Sequence, residues 1–166
     1  MLDALQAAAL SAWSGTVYRH MFGDHPPIRA NVSGARWNDP PVAAIYTSCE
    51  RHTALAEAEY YISLQPLRPK AQRTLYTIAV SLHSVVDLTT KSALAFLGIT
   101  ADVLRSDDQT RCRVVGNAVN WLGHDGLLVP SARQDSGTNL VIFRQDLSNN
   151  EFLVIDQETI AADTRI

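Results

Sequence analysis

An arginine, a tyrosine and a glutamate fall within the short stretch from Ser33 to Tyr61. Brought together, such side chains can hold an anionic nucleotide and act on a glycosidic carbon. Arg36 follows the small-residue turn Ser33-Gly34-Ala35 and precedes Trp37. Its guanidinium can grip a pair of phosphate oxygens with two parallel bonds, which lysine cannot imitate. Gly34 would let backbone approach the ligand. The alternative is an arginine stacked on Trp37 for structural reasons. Tyr46 ends an apolar run, and its ring face could stack on nicotinamide or adenine. A half-buried core tyrosine with a hydrated hydroxyl is the plainer reading. Glu57 lies one turn into a helix between Ala56 and Ala58, which leave room for a ligand. A carboxylate there would hold a ribose hydroxyl and stabilise positive charge on the sugar. The helix dipole also favours an acid at that point without any ligand. Glu59 is turned by about 200° around the helix and faces the other side.

Arg19, at the end of a strand, is a further candidate for a phosphate or ribose contact. Ser131 follows Pro130 with no Gly-x-Ser-x-Gly elbow around it, so a hydroxyl donor fits better than a hydrolase nucleophile. Ser136, in Asp135-Ser136-Gly137, reads as a turn serine and stays open as the alternative site hydroxyl. His20, His25, His52, His83 and His124 show no ligand spacing, so no metal is expected. Asp107-Asp108 reads as a solvated loop. Neither a GxGxxG nor a P-loop is present.

These residues need elements to position them. Residues 3–13 are alanine-rich and predict a short helix ended by Gly15. Val17–Phe22 and Val42–Thr47 are β-branched and aromatic enough for strands. Thr53 predicts the cap of a helix through Leu64, with Leu55, Ala58, Ile62 and Tyr61 on its apolar face. Arg73–Leu82 alternates most clearly of all, and Val85–Leu88 continues it as a short edge segment. Thr89 or Thr90 caps a helix over 91–97, Thr100 opens another turn, and 109–121 reads as helical despite Gly116. Strands follow at 127–130, 139–144 and 152–155. Strands in mixed order with short helices between them predict an α+β fold.

The 166 residues predict one domain spanning 1–166. A hydrophobic share of 46% supports a sizeable core. A net charge of −3 and a pI near 5.9 argue against direct nucleic-acid binding. Cys49 and Cys112 lack CxxC spacing and predict reduced thiols. No apolar run approaches the ~20 residues of a membrane span. The start Met1-Leu2-Asp3 lacks a basic signal region, so a cytoplasmic protein is expected.

In their order the segments resemble the RES domain family. Val17-Tyr18-Arg19 is similar to its opening arginine strand, and Gly34-Ala35-Arg36-Trp37-Asn38 to its glycine-arginine-tryptophan-asparagine signature, with Ala35 replacing a second glycine. Ile45-Tyr46-Thr47-Ser48, Thr53–Glu57, His124–Ala132 and Thr138–Phe143 resemble its later motifs, so the likeness covers roughly residues 16–145. The resemblance implies a split, mixed β core like that of ADP-ribosyltransferases, with a cleft for NAD+. It implies a toxin of a toxin–antitoxin pair that cleaves NAD+ at the nicotinamide–ribose bond without a metal. Glu57, Arg36 and Ser131 would be catalytic, and Arg19, Arg36, Tyr46 and Ser131 would bind NAD+. Hydrolysis is the expected outcome, with ADP-ribosyl transfer to a protein as the alternative. The implied partner is an antitoxin with a helix-turn-helix DNA-binding region, and a homodimer stays open. A catalytically silent nucleotide-binding or interaction module is the competing reading.

Overall fold

The clearest alternation in the sequence becomes the longest strand of the computed structural model, which describes Leu5 and residues 10–161. Along the chain run β1 (Leu10–Phe22), β2 (Ile45–Ser48), α1 (Arg51–Ser63), β3 (Arg73–Asp87), α2 (Lys91–Phe96), α3 (Ala101–Arg105), α4 (Thr110–Trp121), β4 (Gly126–Pro130), β5 (Thr138–Ile142) and β6 (Phe152–Ile160). The mixed α+β class follows from the sequence as expected.

The sheet has the order β1-β2-β5-β4-β3-β6, and β1 also pairs with β3. The first five of these strands therefore close on themselves. Strand β3 makes this possible by its length of 15 residues. One of its edges carries β1 antiparallel from Phe22↔Arg73 to Leu10↔Val86. The other carries β6 along Arg73–Val80 and then β4, in parallel, along Val85–Asp87. Val85–Asp87 is thus the central end of one strand rather than an edge segment. The closure is thin at β1–β2, where Tyr18↔Ser48 is the recorded pair.

Strands β4 and β5 are apolar on both faces because both are covered. Leu127, Val129 and Val141 join Val86, Ile99, Val115 and Val119 beneath α2–α4. Leu128, Leu140 and Ile142 point the other way, against Val17, Ile45, Ile78 and Phe152. Such runs are what two-sided burial of a strand demands. A third cluster seats α1 on the sheet through Ala54, Leu55, Leu75 and Ile160.

Three further expectations change. The helix expected over 3–13 gives way to strand from Leu10 onward, with Gly15 inside β1; Leu5 is helical, and the rest of that segment lies outside the described residues. Alanine propensity is outweighed here by pairing with β3 on both sides of an irregularity between Ser11 and Trp13, and Trp13 folds its ring over Gly15, where a Cβ would come within 3.0 Å of it. Glu50 rather than Thr53 occupies the N-cap position of α1 and makes no side-chain cap bond, and the Thr53 hydroxyl donates instead to Glu50 Oε2 at 2.8 Å. Tyr61 is 47% exposed and leaves the apolar face of α1. The caps at Thr90 and Thr100 form as expected, accepting from Ala93 N and Val103 N. Among the described residues no helix is long and apolar enough to cross a membrane.

Candidate active site

Where α1 faces the thin β1–β2 junction, a cleft of about 500 Å³ opens. Its walls come from Arg19 and His20 of β1, Tyr46 and Ser48 of β2, Ala54, Glu57, Ala58 and Tyr61 of α1, Asn31, Gly34 and Ala35 of the intervening loop, Arg113 of α4 and Asn139 of β5.

Glu57 stands in this wall with its carboxylate oriented by two donors. Ser131 Oγ donates to Oε1 at 2.6 Å, and Asn139 Nδ2 donates to the same oxygen at 2.8 Å. Among the described residues Oε2 carries no hydrogen bond, so one oxygen is anchored and the other is free for a ligand. The supports are themselves held. Ser131 Oγ accepts from the amides of Arg133 and Gln134 at 3.1 and 3.0 Å, and Asn139 Oδ1 accepts from Ser48 Oγ at 2.7 Å. A glycine brings the distant segments together: a Cβ at Gly137 would lie 2.5 Å from Thr53 Oγ1, so only glycine lets the Ser131–Thr138 loop reach α1. Glu50 completes the join by accepting from Thr138 N at 2.9 Å. Ser136 is exposed in a positive-φ turn, φ 62°, and makes no such bond. Of the two candidate serines, Ser131 is the one beside Glu57.

The other expected residues divide. Arg19 reaches the cleft but is 9% exposed. Its guanidinium donates to Pro27 O and, at 2.7 Å, to Arg29 O, so it also ties down the loop after β1. Burial pulls its pKa down to about 10. Tyr46 lines the cleft, yet its hydroxyl donates to Asn38 Oδ1 at 2.7 Å and accepts from Trp37 N at 2.9 Å. Burial pushes this phenol well above its ordinary range, so it stays protonated. Arg36 is 7% exposed and does not line the cleft; Nη1 donates to Ser106 O at 3.0 Å and ties the signature loop to the α3–α4 junction.

Arg113, which sequence reasoning missed, is the cation that lines the wall on this side. It donates to Ala35 O at 2.9 Å and pairs with Asp39 at 3.3 Å. Its place depends on Gly116, one turn along α4, whose contact with Trp37 no sequence pattern announces. Tyr61 was missed as a cleft residue because its spacing on α1 suits the core equally well. Asn139 was missed because an asparagine at a strand start is ordinary.

Glu59 faces away from Glu57 as the helix phase demands, but it is not idle. It accepts from Arg73 Nη2 at 2.6 Å and from Arg68 at 3.0 and 3.1 Å; desolvation pushes its carboxyl pKa up, but these arginines together outweigh it and hold the group below the usual carboxylate range. Arg73 is 1% exposed. Its Nε donates to His20 Nε2 at 3.0 Å, and its Nη1 is buried without a partner. Glu59→Gln is expected to destabilise the fold by about 1–3 kcal/mol, because it leaves a buried guanidinium short of its counter-charge. Urea denaturation measures this, and an unchanged midpoint would contradict the pairing. Turnover per folded molecule at saturating substrate should change little.

Burial, then the Arg73 charge, hold the His20 imidazole at about 4 against the ordinary 6.5, with Glu59 acting in the opposite sense. Between these values the unfolded chain takes up a proton that the folded chain refuses. The contribution is complete above about pH 6.5 and lost as pH falls toward 4. The thermal midpoint of the wild type should therefore fall more steeply over that window than that of His20→Gln. Parallel curves would show that His20 does not titrate this way.

With a sheet of this order and a cleft built around an anchored glutamate, the chain belongs to the RES domain family, whose match spans residues 13–162. Its relatives include the NAD(+) phosphorylase MbcT of Mycobacterium bovis and of Mycobacterium tuberculosis. Each is 30% identical over 152 residues, covering 86% of this chain and 79% of the relative. The fold is similar to a chain in the crystal structure of the M. tuberculosis MbcT–MbcA toxin–antitoxin complex, with a TM-score of 0.85 and 27% identity over 97% of this chain and 92% of that one.

Proposed function

We propose that this protein is the toxin of a toxin–antitoxin pair and that it cleaves NAD+ at the nicotinamide–ribose bond, with inorganic phosphate as acceptor. The observation that carries the reading is the Glu57 carboxylate, held on Oε1 by Ser131 and Asn139 and open on Oε2, in the wall of a cleft that also presents arginine. A carboxylate so fixed can take a ribose hydroxyl and oppose the positive charge that grows on the sugar as the bond to nicotinamide breaks. Arg19 and Arg113 supply positive potential for the diphosphate. Ser131 acts as an orienting donor, and Tyr46 as part of the wall. Arg36 acts indirectly, by holding the loop that carries Gly34 and Ala35.

Phosphate is preferred to water as acceptor because the relatives that match most of the chain are named NAD(+) phosphorylases. In that reaction the phosphate oxygen forms the new bond to the anomeric carbon, nicotinamide leaves with the bonding pair, and ADP-ribose 1″-phosphate results. Hydrolysis, expected from the sequence, and protein ADP-ribosylation differ only in the acceptor. The partner would be an antitoxin that covers the cleft and carries a helix-turn-helix region.

The deciding experiment follows nicotinamide release by purified protein with and without phosphate, and identifies the ribosyl product by mass. Phosphate-dependent release with ADP-ribose 1″-phosphate is expected. Free ADP-ribose at equal rate without phosphate would return the reading to hydrolysis, and label on protein would make it a transferase. Binding of NAD+ with no release would favour a silent module.

A further inference from the structure

We propose that His20 is a substrate-positioning residue of the cleft, presenting its Nδ1–H as a fixed donor to a neutral oxygen of the bound nucleotide, either a carboxamide carbonyl or a ribose hydroxyl. The proposal deepens the reading of the cleft as an NAD+ site and rests on it.

The tautomer follows from the neighbour. Arg73 Nε approaches His20 Nε2 at 3.0 Å, and a guanidinium can only donate. Nε2 must then accept, and the proton of the neutral ring sits on Nδ1. The guanidinium is not free to move away. It is 1% exposed and held at 2.6 Å by Glu59, which Arg68 grips from the other side. Phe22 fixes the ring plane edge-to-face, with centroids 4.9 Å apart.

The donor has nowhere else to go. Nδ1 makes no hydrogen bond among the described residues, and it is not among their fully buried unpartnered atoms. His20 itself lines the cleft. The charged groups around it are Arg73 on β3, Glu59 on α1 and, within the cleft, Arg19 and Glu57. Burial and Arg73 keep the ring neutral across the ordinary pH range. A neutral donor suits this substrate, because the nicotinamide ring of NAD+ is itself cationic and an imidazolium beside it would repel it. The buried Arg73–Glu59 pair, which chemistry alone would not require, thereby acquires a purpose in the site.

Two side chains separate positioning from mere packing. Asparagine places an amide donor near the Nδ1 position but cannot reach Arg73, whereas glutamine reaches Arg73 but leaves the cleft without its donor. NAD+ affinity is measured by calorimetry on full-length protein carrying Glu57→Gln, so that the ligand survives, together with the affinity for ADP-ribose. His20→Gln is expected to raise the NAD+ Kd roughly fivefold to tenfold, and His20→Asn by less although it is less stable to heat. A loss confined to NAD+ assigns the acceptor to the carboxamide, and a loss with both ligands assigns it to the ribose. Equal affinity in His20→Gln, or a larger loss in His20→Asn, would overturn the proposal. So would an imidazole 15N spectrum of the wild type showing the proton on Nε2. Tight binding by a wild type that never releases nicotinamide would end the enzymatic reading while leaving these binding and tautomer results to decide His20.

Discussion

Glu57→Gln is expected to lower nicotinamide release from NAD+ by about 10²- to 10³-fold while changing NAD+ affinity far less. The amide retains the shape of the carboxylate and an Oε1 that can still accept from Ser131 Oγ and Asn139 Nδ2. What disappears is the negative charge that, in the proposed reaction, would face the ribose. That charge matters little to a ground state in which the positive charge resides on the nicotinamide ring. It matters greatly once the charge moves to the sugar, so the loss belongs in turnover rather than in binding. Single-turnover release and calorimetry on the same preparation separate the two. Wild-type turnover in the variant would remove Glu57 from the chemistry, and a matching loss of affinity would make it a binding group only. In cells the same substitution should relieve growth arrest caused by the wild-type chain, and a variant that still arrests growth would point to another toxic activity.

Gly116→Ala is expected to destabilise the fold by about 3 kcal/mol, the upper end of what overpacking costs, the opposite sign from what helix propensity alone predicts. In an exposed helix interior this change would stabilise by about 1 kcal/mol. Here a Cβ would lie 1.9 Å from the carbonyl oxygen of Trp37 and 2.8 Å from its carbon. Backbone atoms cannot swing aside as a flexible side chain does, so α4 or the Arg36–Asn38 loop must shift. Either shift disturbs the cleft, because Arg113 lies on α4 and Asn38 holds the Tyr46 hydroxyl. Denaturant titration and NAD+ binding should both suffer. A variant as stable as the wild type would show that the loop and α4 are not packed this way.

Local and tertiary information part at such positions. A cap at Thr89 or Thr90, which the structure places at Thr90, and one at Thr100 were legible because a hydroxyl accepting the amide three residues on is a local event. The alternation of Arg73–Leu82 was legible because one face of that strand must meet the core wherever it packs. Glu57 was legible as a candidate because small neighbours and helix phase describe its surroundings. The strand from Leu10 was not legible, since its alanine-containing start is held in the sheet by pairing with residues some seventy positions away.

Residue types and their order therefore determined the family, the α+β class and the short roster that includes Arg19, Tyr46, Glu57 and Ser131. Tertiary structure alone decided which of them meet. It joined Ser131 to Glu57 across a chain separation of 74 residues, and it tied the Arg36 guanidinium to Ser106 O rather than into the cleft lining. It also brought Arg113, Asn139 and His20 into the same walls. The reason is physical: caps and periodicity report energies within a few residues, whereas the orientation of a buried guanidinium or carboxylate is set by whichever distant donors and acceptors complete its hydrogen bonds.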